Sequence, residues 1–310
     1  MTAPPAEIPL QVTGLTKTFG RHRGILDVSF DVRAGEIFGF LGPNGAGKST
    51  TIRLIIGLFR PTAGRVTVCG RNPMRDPVAV HRAIGYLPGE LALHPRLTGR
   101  EHLDRIDRGR GTVDRALRDE LAARFDADLD RPVRNLSKGN RQKIGIMIAF
   151  SHRPELLVLD EPTSGLDPLL QDEFDRLLRR TAEDGRTVFL SSHDLEEVQR
   201  TADRVAIIKE GRIVVVDTVQ GLRRSAPRTV EFVFAGPVDI SGLVGLDGVE
   251  LIERIDGRVR LSITGPIDRL LTEAARLGPV DMTARPADLD ELFLRYYRTK
   301  SPQPERQART

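Results

Sequence analysis

The sequence has little cysteine and no long apolar run, and each shortage excludes a class of protein. Cys69 is the only cysteine among 310 residues, which excludes an internal disulfide and a metal site built on several cysteines. The longest apolar stretches, at 37–41, 54–59 and 156–159, are far shorter than the roughly 20 residues that a transmembrane helix needs. The N-terminus also lacks the basic head and apolar run of a secretory signal. We therefore expect a cytosolic chain without a membrane span of its own.

Lysine is scarce as well, and the basic residues form no block. Only six of the 47 basic residues are lysines, and the net charge of +4 comes from basic and acidic residues that are mixed along the chain. Such a distribution does not favour nucleic acid as a partner. An apolar fraction of 39% and a charged fraction of 29% are typical of a soluble globular protein, and the length suits one large domain with a small one.

The order of apolar runs predicts an α/β fold. Up to about residue 213, short β-branched runs alternate with helical patterns, as in a parallel sheet with crossover helices. Short strands at 10–12, 24–32 and 66–68 predict a flanking antiparallel sheet. Charged residues with helical apolar spacing predict a helical subdomain at about 90–135. We assign residues 1–220 to one large domain, which contains both predicted sheets and the helical subdomain.

Beyond residue 225 the pattern restarts as a small α+β domain, which we place at 225–300. Its predicted strands lie at 228–234, 249–255 and 258–263, and the last two are joined by a turn at Asp256 and Gly257. Its predicted helices lie at 267–276 and 287–297. Residues 301–310 are polar with two prolines and are predicted to form a disordered tail.

A glycine-rich loop carries the clearest chemical signal. After the predicted strand at 36–41 come Gly42, Pro43, Asn44, Gly45, Ala46, Gly47, Lys48, Ser49 and Thr50, and a helix is predicted at 52–58. Glycines let backbone N–H groups close around phosphates, the lysine reaches the β and γ phosphates, and the Ser49 hydroxyl can ligate Mg²⁺. The alternative is a glycine-rich turn without a ligand, which the order of strand, loop and helix disfavours. The loop alone predicts a P-loop NTPase core that binds ATP or a similar nucleotide.

Two later strands end in residues that suit hydrolysis. The apolar run 156–159 ends in Asp160 and Glu161, at the edge of the sheet where the phosphate loop also lies. Asp160 would hold Mg²⁺ through water, and Glu161 would orient or deprotonate the attacking water. The strand 187–192 ends in His193, which would reach the γ-phosphate. Together with Lys48, Glu161 and His193 are the predicted catalytic residues.

At this point the chain resembles the nucleotide-binding subunits of ABC transporters, over about residues 8–220. Ser137, Lys138, Gly139 and Asn140 resemble the ABC signature motif, and Asn140 lies 20 residues before Asp160. The resemblance implies that this segment begins a helix that contacts the γ-phosphate bound by the opposite subunit, so that a head-to-tail homodimer completes two sites. It also implies a D-loop, formed by Ser164, Gly165, Leu166 and Asp167, and an adenine-stacking role for Phe19.

The chain departs from the family pattern at two positions. Lys138 and Asn140 replace the common glycine and glutamine of the signature, while Ser137 and Gly139 remain. Gly89 and Glu90 stand where the family's glutamine loop is expected, so either residue is a candidate, and Glu90 alone of the two has a carboxylate for the metal. These departures, together with the small C-terminal domain and its segment at 288–294, resemble ABC-2 type exporters, including daunorubicin-like drug and antibiotic resistance ATPases.

That subfamily resemblance implies efflux of a hydrophobic drug, antibiotic or lipid through a separate integral membrane permease. The chain would then act at the cytoplasmic face of the membrane.

Two other hypotheses remain open from the sequence alone. One is a soluble ABC ATPase that acts on ribosomes or DNA, which a single nucleotide domain without a basic block disfavours. The other is a module that binds ATP without turnover, which the joint presence of Lys48, Asp160, Glu161 and His193 disfavours. The small C-terminal domain has either a dimerising or regulatory role or none.

Overall fold

The computed structural model describes residues 8–20, 22–111 and 114–285 of the chain. It divides between Asp217 and Thr218 into two compact units. Among the described residues, none of the helices is both long enough and apolar enough to cross a membrane. The predicted helix at 287–297 and the predicted tail at 301–310 lie outside the described residues.

The first unit contains two sheets. The three-stranded sheet is antiparallel, with strand order β2-β1-β4, and the six-stranded sheet has the order β5-β6-β7-β3-β8-β9. Their strands are β1 (Leu10–Phe19), β2 (His22–Val32), β3 (Ile37–Leu41), β4 (Ala63–Val68), β5 (Ile84–Leu87), β6 (Leu156–Asp160), β7 (Thr187–Ser192), β8 (Arg204–Lys209) and β9 (Arg212–Thr218). Strand β3 runs parallel to β7 and β8, and β6 runs parallel to β5 and β7. The carboxyl ends of β3, β6 and β7 therefore meet at one edge.

In the described part of the first unit, seven α-helices accompany these strands. They are α1 (Lys48–Ile55), α2 (Pro77–Ala83), α3 (Gly99–Arg110), α4 (Arg115–Arg124), α5 (Lys138–Phe150), α6 (Pro168–Glu183) and α7 (Leu195–Thr201). Helices α3 and α4 lie in the stretch predicted to be helical. Helix α1 begins at Lys48 and not at Ile52, because Gly47 adopts the left-handed conformation that ends the loop and serves as the N-cap.

The core of the first unit explains why the central strands are so apolar. Every residue of β3, β6 and β7 is buried, as expected for strands that are covered on both faces. Four phenylalanines join the two sheets: Phe30 of β2 stacks on Phe38 and Phe189 at centroid distances of 5.4 and 5.7 Å, and Phe40 packs beside them. Such ring pairs contribute about 0.5–1.5 kcal/mol each beyond their buried area. This packing fixes the sheet edge that carries the phosphate loop.

The second unit contains an antiparallel sheet, and two of its helices pack on one face of this sheet. Its elements are α8 (Val219–Ser225), β10 (Arg228–Val233), α9 (Ser241–Val244), β11 (Val249–Ile255), β12 (Arg258–Ile263), α10 (Asp268–Leu277) and β13 (Asp281–Ala284), with strand order β11-β12-β10-β13. Phe232 and Leu261 share the buried face with Leu270 of α10. The alternate residues face away, and there Arg260 pairs with Glu231 at 2.9 Å and Glu253 at 3.1 Å.

Candidate functional site

The glycine-rich loop leaves β3 and ends at the N-terminus of α1. Gly45 and Gly47 have φ angles of 82° and 112°, in the left-handed region that favours glycine. A Cβ on Gly47 would lie 2.7 Å from the Cγ2 atom of Ile25, so a larger residue would displace the loop. No side chain caps α1. Its first N–H groups are therefore available to an anion, as at other helix N-termini that bind phosphate.

Lys48 is folded back over this loop and is only 6% exposed. Its Nζ atom donates to the Gly42 carbonyl at 2.6 Å and lies 3.2 Å from Oε1 of Glu161. The ammonium group is thus held between the loop and the end of β6. This geometry gives the floor of the loop a fixed positive charge, which suits a phosphate chain.

Both carboxylate oxygens of Asp160 are held by hydroxyl groups. Ser49 donates to Oδ2 at 3.1 Å and Ser191 of β7 donates to Oδ1 at 2.5 Å, while the residue is 6% exposed. Among the residues that the structure describes, no group of three or more His, Cys, Asp and Glu side chains could hold a metal ion. One hydroxyl beside one carboxylate is nevertheless the kind of oxygen set that Mg²⁺ uses when phosphates and water complete its shell.

Glu161 lies between a cation and an imidazole. Its Oε2 atom is 2.5 Å from Nδ1 of His193, and its Oε1 atom faces Lys48. Its φ of 51° is in the left-handed region, a conformation that costs a non-glycine residue of order 1–3 kcal/mol. Its N–H donates to the Ser191 carbonyl at 3.1 Å, which helps to hold this conformation. The strain turns the carboxylate towards the loop, where a phosphate would lie.

These groups surround a cavity of about 710 Å³. The predicted residues that line it are Phe19, Pro43, Asn44, Gly45, Gly47, Lys48, Ser49, Thr50, Gly89, Glu90, Asp160, Glu161, Ser164 and His193. Gly42 and Ala46 belong to the loop without lining the cavity. Four further residues line the cavity without having been predicted as site residues, namely Gly24, Arg53, Tyr86 and Pro88. Of these four residues, Arg53 lies in the helix predicted at 52–58, but no sequence pattern predicted that it lines the site.

Phe19 forms an aromatic surface at the cavity. The ring is 42% exposed and packs edge to face on Phe59, with centroids 5.5 Å apart. Gly24 lies directly beneath it, since a Cβ there would be 2.8 Å from the ring. Lys17 places its ammonium 5.3 Å from the ring centroid. An exposed ring with fixed neighbours suits stacking on a planar base.

The segment after β5 brings both candidates for the glutamine-loop role to the cavity. Gly89 lies against Asp160, because a Cβ built on it would be 3.5 Å from the carboxylate carbon. Glu90 also lines the cavity and is exposed. Tyr86, just before them, has its pKa raised to about 12 by burial and by the charge of Asp160, so its hydroxyl keeps its proton.

The four residues of the signature segment lie outside the cavity, at the start of α5. Ser137 is the N-cap and accepts from the Asn140 N–H at 3.1 Å. The Asn140 side chain points inward, where its amide exchanges hydrogen bonds with the backbone of Asp128 at 2.8 and 3.0 Å. Ser137 and Lys138 are exposed.

The D-loop residues lie beside the signature segment. Lys138 donates to the Ser164 hydroxyl at 2.7 Å, and Gly139 lies against the Gly165 carbonyl. Leu166 is buried, and Asp167 caps α6 by accepting from the Leu170 N–H at 3.0 Å. Among the residues of the signature segment and the D-loop, Ser164 is the one that lines the cavity.

The comparisons with known proteins agree with this arrangement. A family model described as ABC transporter matches residues 25–164. The bacitracin transport ATP-binding protein BcrA of Bacillus licheniformis is 35% identical over 226 residues, which cover 72% of this chain and 74% of that protein. The daunorubicin resistance ATP-binding protein DrrA3 of Streptomyces coeruleorubidus is 34% identical over 305 residues, or 93% of this chain and 96% of that protein.

A solved structure of an ATP-binding subunit of an ABC transporter covers 69% of this chain and 92% of its own, with a TM-score of 0.65 and 32% identity. The predicted α/β fold and the family resemblance are therefore confirmed. The chain belongs to the ABC transporter family, as one of its ATP-binding ATPases.

Proposed function

We propose that this chain hydrolyses ATP to power the export of a hydrophobic drug, antibiotic or lipid through a separate membrane permease. The observation that carries the proposal is the position of the Glu161 carboxylate, between Lys48 and His193 at the open side of the phosphate loop. A carboxylate in that position can orient a water molecule for attack on the γ-phosphate and accept its proton.

The other residues of the site bind the phosphates, the metal and the adenine in this proposal. The N–H groups of the loop and Lys48 bind the phosphates, and His193 contacts the γ-phosphate. Ser49 and Asp160 would hold Mg²⁺, with Glu90 as a further ligand, and the metal would neutralise charge on the phosphates. Phe19 stacks on the adenine. Because Asp160 is already fixed by two hydroxyl donors, little reorganisation is needed when the nucleotide binds.

The working form is a head-to-tail homodimer. The start of α5 presents Ser137 and Gly139 away from the chain's own cavity, so that these residues serve the nucleotide of the second copy. The D-loop residues Ser164 to Asp167 lie at the same interface. The two copies bind ATP together and release each other after hydrolysis, which changes the conformation of the permease.

Export is supported by the named relatives, which serve bacitracin transport and daunorubicin resistance. The chain would act at the cytoplasmic face of the membrane, bound to an integral membrane permease. Copurification with a polytopic membrane protein supports this role, whereas copurification with ribosomes or DNA contradicts it.

The direct test is Glu161→Gln in the full-length chain reconstituted with its permease. This variant keeps the size of the side chain and removes the acid-base group, so ATP turnover should fall by about a hundredfold or more while ATP binding survives. Glu183→Gln is the matched control, since Glu183 is exposed at the end of α6 and should leave turnover unchanged. Wild-type turnover no greater than that of Glu161→Gln would refute the enzymatic role.

A further inference from the structure

Glu197 is a buried carboxylate that the reaction described above does not use. It lies on α7 and is 4% exposed. Its Oε2 atom accepts a short hydrogen bond from the Ser192 hydroxyl, and the Thr163 hydroxyl also hydrogen-bonds to its side chain. Ser192 immediately precedes His193, and Thr163 follows Glu161 by two residues. One side chain thus connects the two segments that carry the predicted catalytic pair.

The directions of these hydrogen bonds follow from the neighbouring donors. The Asp194 N–H donates to the Ser192 oxygen at 3.0 Å, so the hydroxyl hydrogen of Ser192 is directed at Glu197, which accepts it. Burial raises the pKa of Glu197, while the hydrogen bonds from Ser192 and Thr163 favour its charged form and oppose that rise. The buried carboxylate therefore has two hydroxyl donors, Ser192 at the end of β7 and Thr163 beyond the end of β6.

The same short segment of β7 also holds the phosphate loop. The Gly42 N–H donates to the Ser192 carbonyl at 3.2 Å, and the Glu161 N–H donates to the Ser191 carbonyl at 3.1 Å. Ser191 itself holds Asp160 through its hydroxyl. The main chain of Ser192 is therefore held at the loop by backbone hydrogen bonds, whereas its side chain, next to His193, is held by Glu197.

We propose that Glu197 is a positioning residue for ATP hydrolysis, which fixes Ser192 and Thr163 so that His193 and Glu161 keep their contact. This inference rests on the proposed function, because only a hydrolysing site requires that contact. It predicts an effect on turnover more than on nucleotide binding, since Glu197 contacts neither Lys48 nor the N-terminus of α1.

Asp175 of α6 offers a matched control. It is buried like Glu197, and burial raises its pKa as well. Its partner is Arg200 of α7, whose Nε atom donates to it at 3.1 Å. Both carboxylates therefore anchor α7, but Asp175 joins it to α6 and Glu197 joins it to the segments that carry Glu161 and His193. Loss of a purely structural anchor should affect both variants alike.

The experiment measures kcat, KM for ATP and Tm in the full-length chain for Glu197→Ala, Glu197→Gln and Asp175→Ala. Misplacement of catalytic groups by about 1 Å can cost up to about a hundredfold, so Glu197→Ala should lower kcat by about tenfold or more and change KM less than about twofold. Glu197→Gln retains an oxygen acceptor for Ser192 and should recover kcat to within about threefold of wild type. Asp175→Ala should lower Tm and keep kcat within about twofold.

If Glu197→Ala fails to fold, Ser192→Ala replaces it, because this variant removes the same contact from the other end and should lower kcat by a similar factor. A kcat for Glu197→Ala or Ser192→Ala within twofold of wild type overturns the inference, as does an equal loss in Asp175→Ala. In those cases wild-type turnover remains far above that of Glu161→Gln and the proposed function stands. If wild type matches Glu161→Gln, the proposed function and this inference fail together.

Discussion

Two helices of the first unit begin with a lysine, and their N-termini are built differently. Lys48, the first residue of α1, is 6% exposed and is held by the Gly42 carbonyl. Lys138, the first residue of α5, is exposed and reaches the Ser164 hydroxyl. Helix α1 has no side-chain cap, whereas the Ser137 hydroxyl caps α5.

The difference shows which helix end needs a ligand and which is already satisfied. The open N–H groups of α1 face a cavity together with Asp160 and Glu161, so a bound phosphate can supply the missing cap. At the start of α5 the Ser137 hydroxyl caps the Asn140 N–H group, and Ser137 and Lys138 are exposed. One end therefore forms a phosphate site within a single chain, and in the proposed dimer the other end completes the site of the second copy.

Among the variants that test this difference between the two helix ends, Lys48→Met should have the largest effect, which is a loss of ATP affinity. The change removes the buried ammonium that would pair with the phosphates, and truncating one partner of a desolvated charge pair weakens binding by about 2–5 kcal/mol. ATP affinity should fall by about a hundredfold or more in a direct titration. Lys138→Met removes the same charge from the other helix and should change the affinity of the isolated chain by less than about threefold. Equal losses would show that the two ends do not differ.

A smaller effect is expected when the packing at the start of α5 is disturbed. A Cβ on Gly139 would lie 2.6 Å from the Gly165 carbonyl oxygen, so Gly139→Ala forces the D-loop away from the helix. Overpacking of this kind costs about 1–3 kcal/mol, which exceeds the gain of about 1 kcal/mol from replacing a helical glycine. The free energy of unfolding in urea should therefore fall, by up to about 2 kcal/mol.

Gly109→Ala in α3 is the control for that prediction. Among the residues that the structure describes, a Cβ on Gly109 would meet no heavy atom within 4 Å, so the substitution should raise the free energy of unfolding by up to about 1 kcal/mol. An increase of stability in both variants would contradict the close contact between Gly139 and Gly165.

The sequence predicted those parts of the site that are local in the chain. The loop from Gly42 to Thr50, the carboxylates at 160 and 161, and His193 each follow an apolar run, and parallel strands bring such ends to one edge. The short motif at the start of α5 was predicted from its resemblance to the ABC signature, which is also local in the chain. The residue pattern sufficed because each feature is defined by the strand or helix that carries it.

The contacts between segments could not be predicted in the same way. Ser191 holds Asp160 across 31 positions because β7 lies beside β6, and the sequence does not reveal the order of strands. In the sequence, Glu197 is one of several acidic residues in the first turn of a predicted helix. Its burial could not be predicted, because it depends on how α7 packs. The inward direction of the Asn140 side chain likewise depends on Asp128, which lies 12 residues away.

The smallest predicted effect concerns the hydrogen bond between Lys138 and Ser164. The two groups are 2.7 Å apart and exposed, so the contact should contribute only about 0.5–1 kcal/mol, equivalent to about a two- to fivefold change in rate. We expect Lys138→Met and Ser164→Ala each to lower ATP turnover by about that factor, and the double variant to be no slower than either single one.

Lys143→Met is the matched control, because this lysine of α5 donates to the Asp126 carbonyl at 3.0 Å and should leave turnover unchanged. If Lys138 served the nucleotide of the second copy and not Ser164, Ser164→Ala would not reproduce its effect and the two substitutions would multiply in the double variant. The cycle therefore decides whether the exposed lysine of α5 acts within its own chain, as the buried lysine of α1 does, or across the dimer interface.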